Sequence, residues 1–323
     1  MQKLLYIMLA ILFCISFSFT LYFGKKTFHV RKEALQKKPE YQYHFVLIPE
    51  EVDNEYWRIV EQGARSEAEK HRVYLEYLGP KQANNEDQLK TIDKAIAGKV
   101  DGILTQAVSD PDFTFLINKA VEKRIPVITI DTDAPDSERV AYIGTDNYYA
   151  GYLAGQALLS DTKGEQYVGI VIGRYSGIHQ KLRVQGFRDA VKKEKRIHIV
   201  GIKESKITKV GAVQATYDLL KEHPNLTAVY GTSSLDGIGI ARVVKNRLPH
   251  RDLYIIAFDT LPETIRLIEE GTIDATVVQY PYEMGKKGVD MLLKLKKGER
   301  IEPILYTETK IIRRKDISKG DRS

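Results

Sequence analysis

The chain has 323 residues, 43% of them hydrophobic and 28% charged, enough for two globular lobes of roughly 100 to 150 residues each and unlike a disordered or fibrous composition. A formal charge of +6 and a pI near 9.0 do not by themselves indicate nucleic acid. The excess base crowds two short runs, Lys25, Lys26, Arg31, Lys32, Lys37 and Lys38, then Arg313, Arg314, Lys315 and Lys319, without interleaved aromatic platforms, so it reads as solvated or lipid-headgroup-facing charge. Cys14 is the one cysteine, which excludes an intrachain disulfide and a thiolate metal site.

Leu4 to Phe23 is an uncharged apolar run preceded by Lys3, long enough to cross a bilayer as a helix. A lipoprotein signal would want a small residue before the cysteine, where Phe13 stands. A cleaved signal peptide would use Ser16-Phe17-Ser18, but the apolar run continues past it through Leu21, Tyr22 and Phe23. An uncleaved anchor over 1–24 is therefore expected, followed by a basic stalk over 25–42. The positive-inside rule taken alone places the body in the cytoplasm, but it weakens for long translocated domains.

The body alternates strand and helix. Phe45 to Ile48 predicts a strand and Glu55 to Lys70 an amphipathic helix capped by Asp53 or Asn54. A strand over Tyr74 to Leu78, a helix over Glu86 to Ala97, a strand over Val100 to Leu104 and a helix over Pro111 to Lys123 follow. Ile125 to Asp131 is a β-branched run opened by Pro126 and closed by a carboxylate, the pattern of a buried parallel strand. The spacing then predicts strand Val140 to Gly144, helix Tyr148 to Leu159, strand Val168 to Ile172, helix Gln180 to Lys193, strand Ile197 to Ile202 and helix Lys209 to Lys221. Strand Ala228 to Tyr230, helix Asp236 to Lys245, strand Leu253 to Asp259, helix Pro262 to Glu270, strand Asp274 to Gln279 and helix Pro281 to Leu295 complete it. Strict alternation implies parallel sheets with right-handed crossovers. Two strands ending in Asp131 and Asp259, one in each half, suggest two lobes facing one cleft, because ligands in open α/β sheets sit outside the carboxyl ends of the strands.

Asn54-Glu55-Tyr56-Trp57 after the first strand, Gly63-Ala64, Ile125 to Asp131, Gly186-Phe187, Phe258-Asp259 and Ala275 to Gln279 occur in one order across the body. Together they resemble the type I periplasmic sugar-binding proteins of the ribose-binding kind, over roughly Tyr43 to Arg313. The resemblance implies an α/β fold of two Rossmann-like lobes joined by a three-stranded hinge. Residues 43–145 with 280–308 would form the N-terminal lobe, 146–279 with 309–316 the C-terminal lobe, and 317–323 a tail. Crossings would fall near Thr145-Asp146, Gln279-Tyr280 and Glu308-Thr309. The resemblance also places the body outside the cytoplasm.

A sugar shows apolar faces, which aromatic rings cover, and a rim of hydroxyls that both donate and accept. Tyr56, Trp57 and Phe258 would supply faces, Asp131 and Asp259 would accept from hydroxyls, and Asn54 and Gln279 would do both. Thr132 stands where ribose-type sites carry an Arg. A second family Arg falls on Lys181, which lacks the planar fork. Family Asn positions fall on Ser233 and Gln106, and Glu50 takes the place of a small polar residue. The altered rim leaves ribose, another pentose, a hexose and a modified sugar open as ligand.

The resemblance implies binding without catalysis and without a cofactor, the closed cleft being presented to an ABC transporter permease. The alternative output is a sensor histidine kinase of a two-component system, for which a membrane-anchored subunit is suited. An α/β enzyme is disfavoured: Gly169, Gly173 and Gly177 have the wrong spacing for a dinucleotide turn, and the chain has no P-loop and no G-x-S-x-G elbow. His71, His179, His198 and His223 show no metal-ligand spacing. They read as surface or core histidines. A lactose-repressor-type regulator shares the body but begins with a helix-turn-helix, where this chain has the apolar run.

Overall fold

The structure, a computed structural model, describes residues 2–33, 41–108, 110–247 and 253–317. Part of the expected stalk, with Lys37, Lys38 and Pro39, and the tail from residue 318, with Lys319, lie outside the described residues. The chain divides into two units, Met1–Gln42 and Tyr43–Ser323.

The first unit is helix α1 (Gln2–Glu33). Within it Leu5–Lys26 has a mean hydropathy of 2.1 and nothing buried, and at 1.5 Å per residue it matches the thickness of a bilayer's hydrocarbon core. The basic stretch expected as a stalk from residue 25 begins as helix, α1 continuing through Lys25 and Lys26 to Glu33. One glycine costs a helix only about 1 kcal/mol, and proline, the stronger breaker, comes only at Pro39.

The second unit holds two sheets. The first contains β1 (Tyr43–Ile48), β2 (Val73–Tyr77), β3 (Gly102–Thr105), β4 (Val127–Ile130), β5 (Ala141–Gly144) and β11 (Ile304–Tyr306), in the order β11-β5-β4-β3-β1-β2, all parallel. The second contains β6 (Gln166–Ile172), β7 (Ile197–Glu204), β8 (Ala228–Gly231), β9 (Tyr254–Phe258), β10 (Ala275–Val278) and β12 (Lys310–Arg313), in the order β12-β10-β9-β8-β6-β7. Only the β10–β12 pairing is antiparallel. The chain passes from the first sheet to the second after β5, back after β10, and across again between β11 and β12. The short edge strands β11 and β12 were not expected from the sequence.

Side-chain alternation sets both lobes. On β1, Phe45 and Leu47 enter the core beneath α2 (Glu55–Lys70) and α10 (Pro281–Lys296). Val46 and Ile48 enter the opposite core, shared with α3 (Asn85–Ala97) and α4 (Pro111–Glu122). On β9, Ile256 and Phe258 face α5 (Asn147–Asp161) and α6 (Ile178–Val191). Ile255 and Ala257 face α7 (Lys209–Glu222), α8 (Asp236–Arg247) and α9 (Pro262–Glu269). A period of two with both faces apolar makes a strand buried on both sides, which is why these runs carry almost no polar residue.

The paired helices α2/α10 and α5/α6 cross at glycines in each lobe. A Cβ on Gly63 would lie 1.9 Å from the Tyr282 carbonyl oxygen, and one on Gly186 would lie 1.9 Å from that of Tyr148. Any larger side chain there would force the backbones apart.

Candidate functional site

Each sheet has the doubly wound order 2-1-3-4-5, with an added edge strand, and its strand order reverses beside its first strand. Loops leaving the carboxyl ends of β1, β3 and β4 in one lobe, and of β6, β8, β9 and β10 in the other, deliver the lining of a single cleft. Its walls include Glu50, Asn54, Tyr56, Trp57, Gln106 and Asp131 from the first lobe and His179, Gln180, Arg183, Ser233, Asp259 and Gln279 from the second. Between them the walls leave a narrow space, about 40 Å³ for the centres of water-sized groups.

The two acids sit in matched backbone positions. Asp131 has φ 66° and Asp259 φ 68°, the left-handed region that Asp tolerates better than most residues. The strands expected to run to these residues stop one short of them for that reason. In each case the next strand clamps the turn: the Asp131 N–H donates to the Ile143 carbonyl at 3.0 Å and the Asp259 N–H to the Val277 carbonyl at 2.8 Å. Hydroxyls fix the other side, Tyr142 donating to the Asp131 carbonyl at 3.0 Å and Thr276 to the Asp259 carbonyl at 2.8 Å. Both carboxylates are thereby aimed into the cleft, and both are buried.

Around Asp131 the donors are neutral. The Tyr56 hydroxyl donates to Oδ1 at 2.7 Å, Gln106 Nε2 to Oδ2 at 3.1 Å, and the Thr132 hydroxyl to Oδ2 at 3.2 Å. Burial, then the Asp131 charge, hold the Tyr56 phenol well above its usual pKa, so it stays a donor. Asn54 caps α2, its Oδ1 accepting from the Tyr56 N–H at 3.0 Å. The cap fixes the first turn, from which Tyr56 and Trp57 project, their rings edge to face at 5.5 Å.

Around Asp259 the organiser is a cation. The Arg183 guanidinium lies over the Phe258 ring at 3.8 Å. It donates through Nε to Asn147 Oδ1 at 2.8 Å, through Nη1 to the Thr232 carbonyl at 2.8 Å and through Nη2 to Gln279 Oε1 at 3.0 Å. Gln279 in turn donates from Nε2 to Asp259 Oδ1 at 2.7 Å. Burial pushes the Asp259 carboxyl up to about 7, against the lowering pull of Arg183 and the Gln279 bond. Two side chains complete the lining with unfilled capacity: Gln106 Oε1 and Ser233 Oγ are buried and have no partner among the described residues. A ligand hydroxyl would satisfy them.

Polar contacts also bridge the lobes. Arg174, after β6, pairs through Nη1 with Glu50, after β1, at 3.0 Å. His179 Nδ1 and the Thr132 hydroxyl share a hydrogen bond at 2.8 Å. Burial depresses the His179 pKa to about 4, so the ring is neutral at pH 7.

Asn54, Tyr56, Trp57, Gln106, Asp131, Ser233, Asp259 and Gln279 are brought together in the cleft; three expectations need correction. Lys181 is exposed on α6 and lies outside the lining; Arg183, two residues on, occupies the buried face. Phe258 is fully buried and offers its face to Arg183 rather than to the cleft. Thr132 lies behind Asp131, lining an annex beside the main cleft. His179, expected as a surface or core histidine, is buried and also lines the cleft. A signal for Arg183 was present: it lies three residues before the Gly186-Phe187 pair and four after His179, one helical turn along the same face.

Residues 45–300 match the family model described as a periplasmic binding protein domain. The chain belongs to the periplasmic binding protein family and has the type I fold of that family. GanP, a glucose-galactose binding protein from Geobacillus stearothermophilus, is 56% identical with a TM-score of 0.82, the match covering 85% of this chain and 98% of that one. XylFII, solved in the XylFII-LytSN complex, is 36% identical with a TM-score of 0.81, covering 85% and 99%. The ribose import binding protein RbsB of Escherichia coli K12 is 24% identical over 267 residues, 82% of this chain and 89% of its own. The family is one of sugar-binding transport proteins and is extracytoplasmic.

Proposed function

We propose that the protein is an extracytoplasmic sugar receptor, tethered to the membrane by α1, that captures a monosaccharide between its lobes by hinge closure. The carrying observation is the pair of buried, inward-aimed carboxylates, Asp131 and Asp259, one from each lobe. A hydroxylated ring that bonds both gains more in the closed state than in the open one, and that difference drives closure. Trp57 supplies an aromatic wall, and Arg183, Gln279, Gln106 and Ser233 supply the planar and hydroxyl partners of a sugar rim. The high identity to GanP favours an aldohexose of the glucose or galactose type.

The closed shape is the output. Presentation to an ABC transporter permease is supported by the likeness to a ribose import protein. A second reading, a signalling subunit whose closed form is read by a sensor kinase, is favoured by the long apolar helix and by XylFII having been solved in complex with a second protein.

Trp57 is the chain's one tryptophan, so fluorescence excited where tryptophan absorbs and tyrosine does not reports on the cleft. Titrating the full-length protein in detergent with galactose, glucose and ribose is expected to give a saturable change for at least one hexose. At a hundredfold excess over Kd the same sugar adds about 2.7 kcal/mol of stability. No saturable response and no stabilisation with any of the sugars would overturn the reading.

A further inference from the structure

The amino ends of the first sheet's strands gather cations that the sugar cleft, at the carboxyl ends, does not use. A recess there leaves about 500 Å³ for the centres of water-sized groups and is walled by Lys99, Lys123, Arg124 and Lys296, with one acid, Asp101. Arg124 and Lys296 also line a second space beside it. Asp101 is already committed, Oδ2 accepting from the His44 N–H at 2.9 Å and Oδ1 pairing with Lys296 at 3.1 Å. Lys99, Lys123 and Arg124 are exposed and take part in no ion pair among the described residues.

The backbone holds part of this charge under strain. The turns that feed β2, β3 and β4 carry Arg72 at φ 53°, Lys99 at φ 54° and Arg124 at φ 62°, left-handed positions that glycine fills freely. In the second lobe the turns feeding β6 and β10 use Gly164 and Gly271 instead. Complementing the helix dipoles does not account for the choice, because α2, α3 and α4 each already have a lysine in the last turn, Lys70, Lys94 and Lys119. Cations kept in strained turns at one end of a parallel sheet give that end a positive face, suited to an anionic surface.

The tether says which surface. Tyr43 begins β1 at this same end of the sheet, and Lys296 Nζ stands 5.8 Å from its ring centroid. Residues 34–42 connect Tyr43 to the end of α1, and a chain of that length reaches no further than about 35 Å in any conformation. Docking on the bilayer that holds α1 is then an intramolecular step, for which a weak attraction suffices. The connecting segment does not complement the recess itself, since it sets Lys37 and Lys38 against Glu40 alone.

We propose that the face carrying Lys99, Lys123, Arg124 and Lys296 docks on anionic phospholipid headgroups of the membrane that α1 crosses. Ammonium and guanidinium groups meet the headgroup phosphates, and the first lobe rests on the bilayer by the end of its sheet opposite the cleft. The proposal rests on the reading of α1 as a membrane tether and does not depend on which sugar is bound.

The test reconstitutes the full-length protein into nanodiscs of phosphatidylcholine, alone or mixed with phosphatidylglycerol, and reads brief amine acetylation residue by residue by mass spectrometry. Lys99 and Lys123 are expected to react at least about fivefold more slowly in the anionic discs, and raising the salt should remove the protection. Lys181 and Lys195, exposed on the second lobe, should react alike in both. The double variant Lys99→Gln/Arg124→Gln is expected to lose the protection at Lys123 while keeping the wild-type thermal midpoint, which serves as the folding check.

Equal reactivity of Lys99 and Lys123 in the two lipids would overturn headgroup docking and leave the tethered receptor standing. So would equal protection in both, because the tether alone would then be crowding the body against the bilayer. A chain that does not stay with the discs at all would overturn the tether and the docking together.

Discussion

The two lobes present the same device in different electrostatic settings. In each, an aspartate in the left-handed region ends the fourth strand of a doubly wound sheet, its backbone clamped by the neighbouring strand and its carboxylate met by a glutamine amide. In the first lobe the remaining partners are hydroxyls, from Tyr56 and Thr132, and the carboxylate is a hub of three donors. In the second lobe one amide touches the acid, and the nearby cation is already committed to Asn147, Thr232 and Gln279. The backbone device thus fixes where each acid points, while in the second lobe burial, outweighing Arg183 and Gln279, makes the charge of Asp259 depend on pH. The first lobe offers a prearranged acceptor, and the second an acceptor whose charge is conditional.

The largest expected effect separates the acids directly. Asp131→Ala removes the hub, and with hydrogen bonds to a charged group contributing about 1.5 to 3 kcal/mol each, sugar affinity should fall by about a thousandfold. Asp259→Ala should cost less at pH 6 than at pH 8. Calorimetric affinities that fall equally for both, at both pH values, would erase the distinction between the lobes.

Arg183→Lys comes next. A lysine cannot replace three directed bonds and a stacked plane, so affinity should fall by about a hundredfold, with Asn147 and Gln279 left short of partners. A loss within threefold would show that charge alone, rather than the guanidinium fork, orders the second lobe.

The pH dependence is smaller and has two opposed parts. Asp259 has an ordinary value of 3.8 and about 7 in the fold. Between those values the folded state holds a proton that the unfolded state has lost, so this group makes stability fall as pH rises through the window. Sugar binding runs the other way, because the acceptor is ionised only toward the top of it: affinity should weaken by up to about tenfold per pH unit below 7. Asp259→Asn should flatten both slopes. His179, lowered from 6.5 to about 4, contributes stability that is present above 6.5 and is lost as pH falls toward 4, so the comparison with Asp259→Asn is cleanest between pH 6.5 and 8. Smallest of all, Lys181→Ala should change affinity less than twofold, since its side chain is in solvent.

Much of this was legible in the residues because it is written in strong periodicities. β-branched runs ending in Asp131 and Asp259 marked the carboxyl ends of strands, and helix α2 has the bounds its amphipathic pattern predicted, with Asn54 rather than Asp53 as the cap. What escaped depends on angles around a helix or on short edges. Lys181 and Arg183 lie two positions apart, about 200° around an α-helix, so a small slip in register puts the wrong one in the cleft. The role of Phe258 as a platform for Arg183 depends on which side of β9 faces α6, a tertiary fact. Strands β11 and β12 span three and four residues, too few for alternation to declare itself. The helix beyond Gly24 is hidden in a polar, lysine-rich composition without apolar periodicity, although lysine is a good helix former.

The late strands β11 and β12 also bear on biogenesis. Each adds the outermost strand to a sheet begun far earlier in the chain, β11 beside β5 and β12 beside β10. While a ribosome or a secretion channel still holds the final segment, both sheets lack their last strand and α10 has only just become available to seat on α2. The chain would leave the channel as an incomplete pair of half-domains whose exposed edges invite misassembly. Delivery of the final stretch therefore completes both sheets last, after the other strands and the helices of either half have been made.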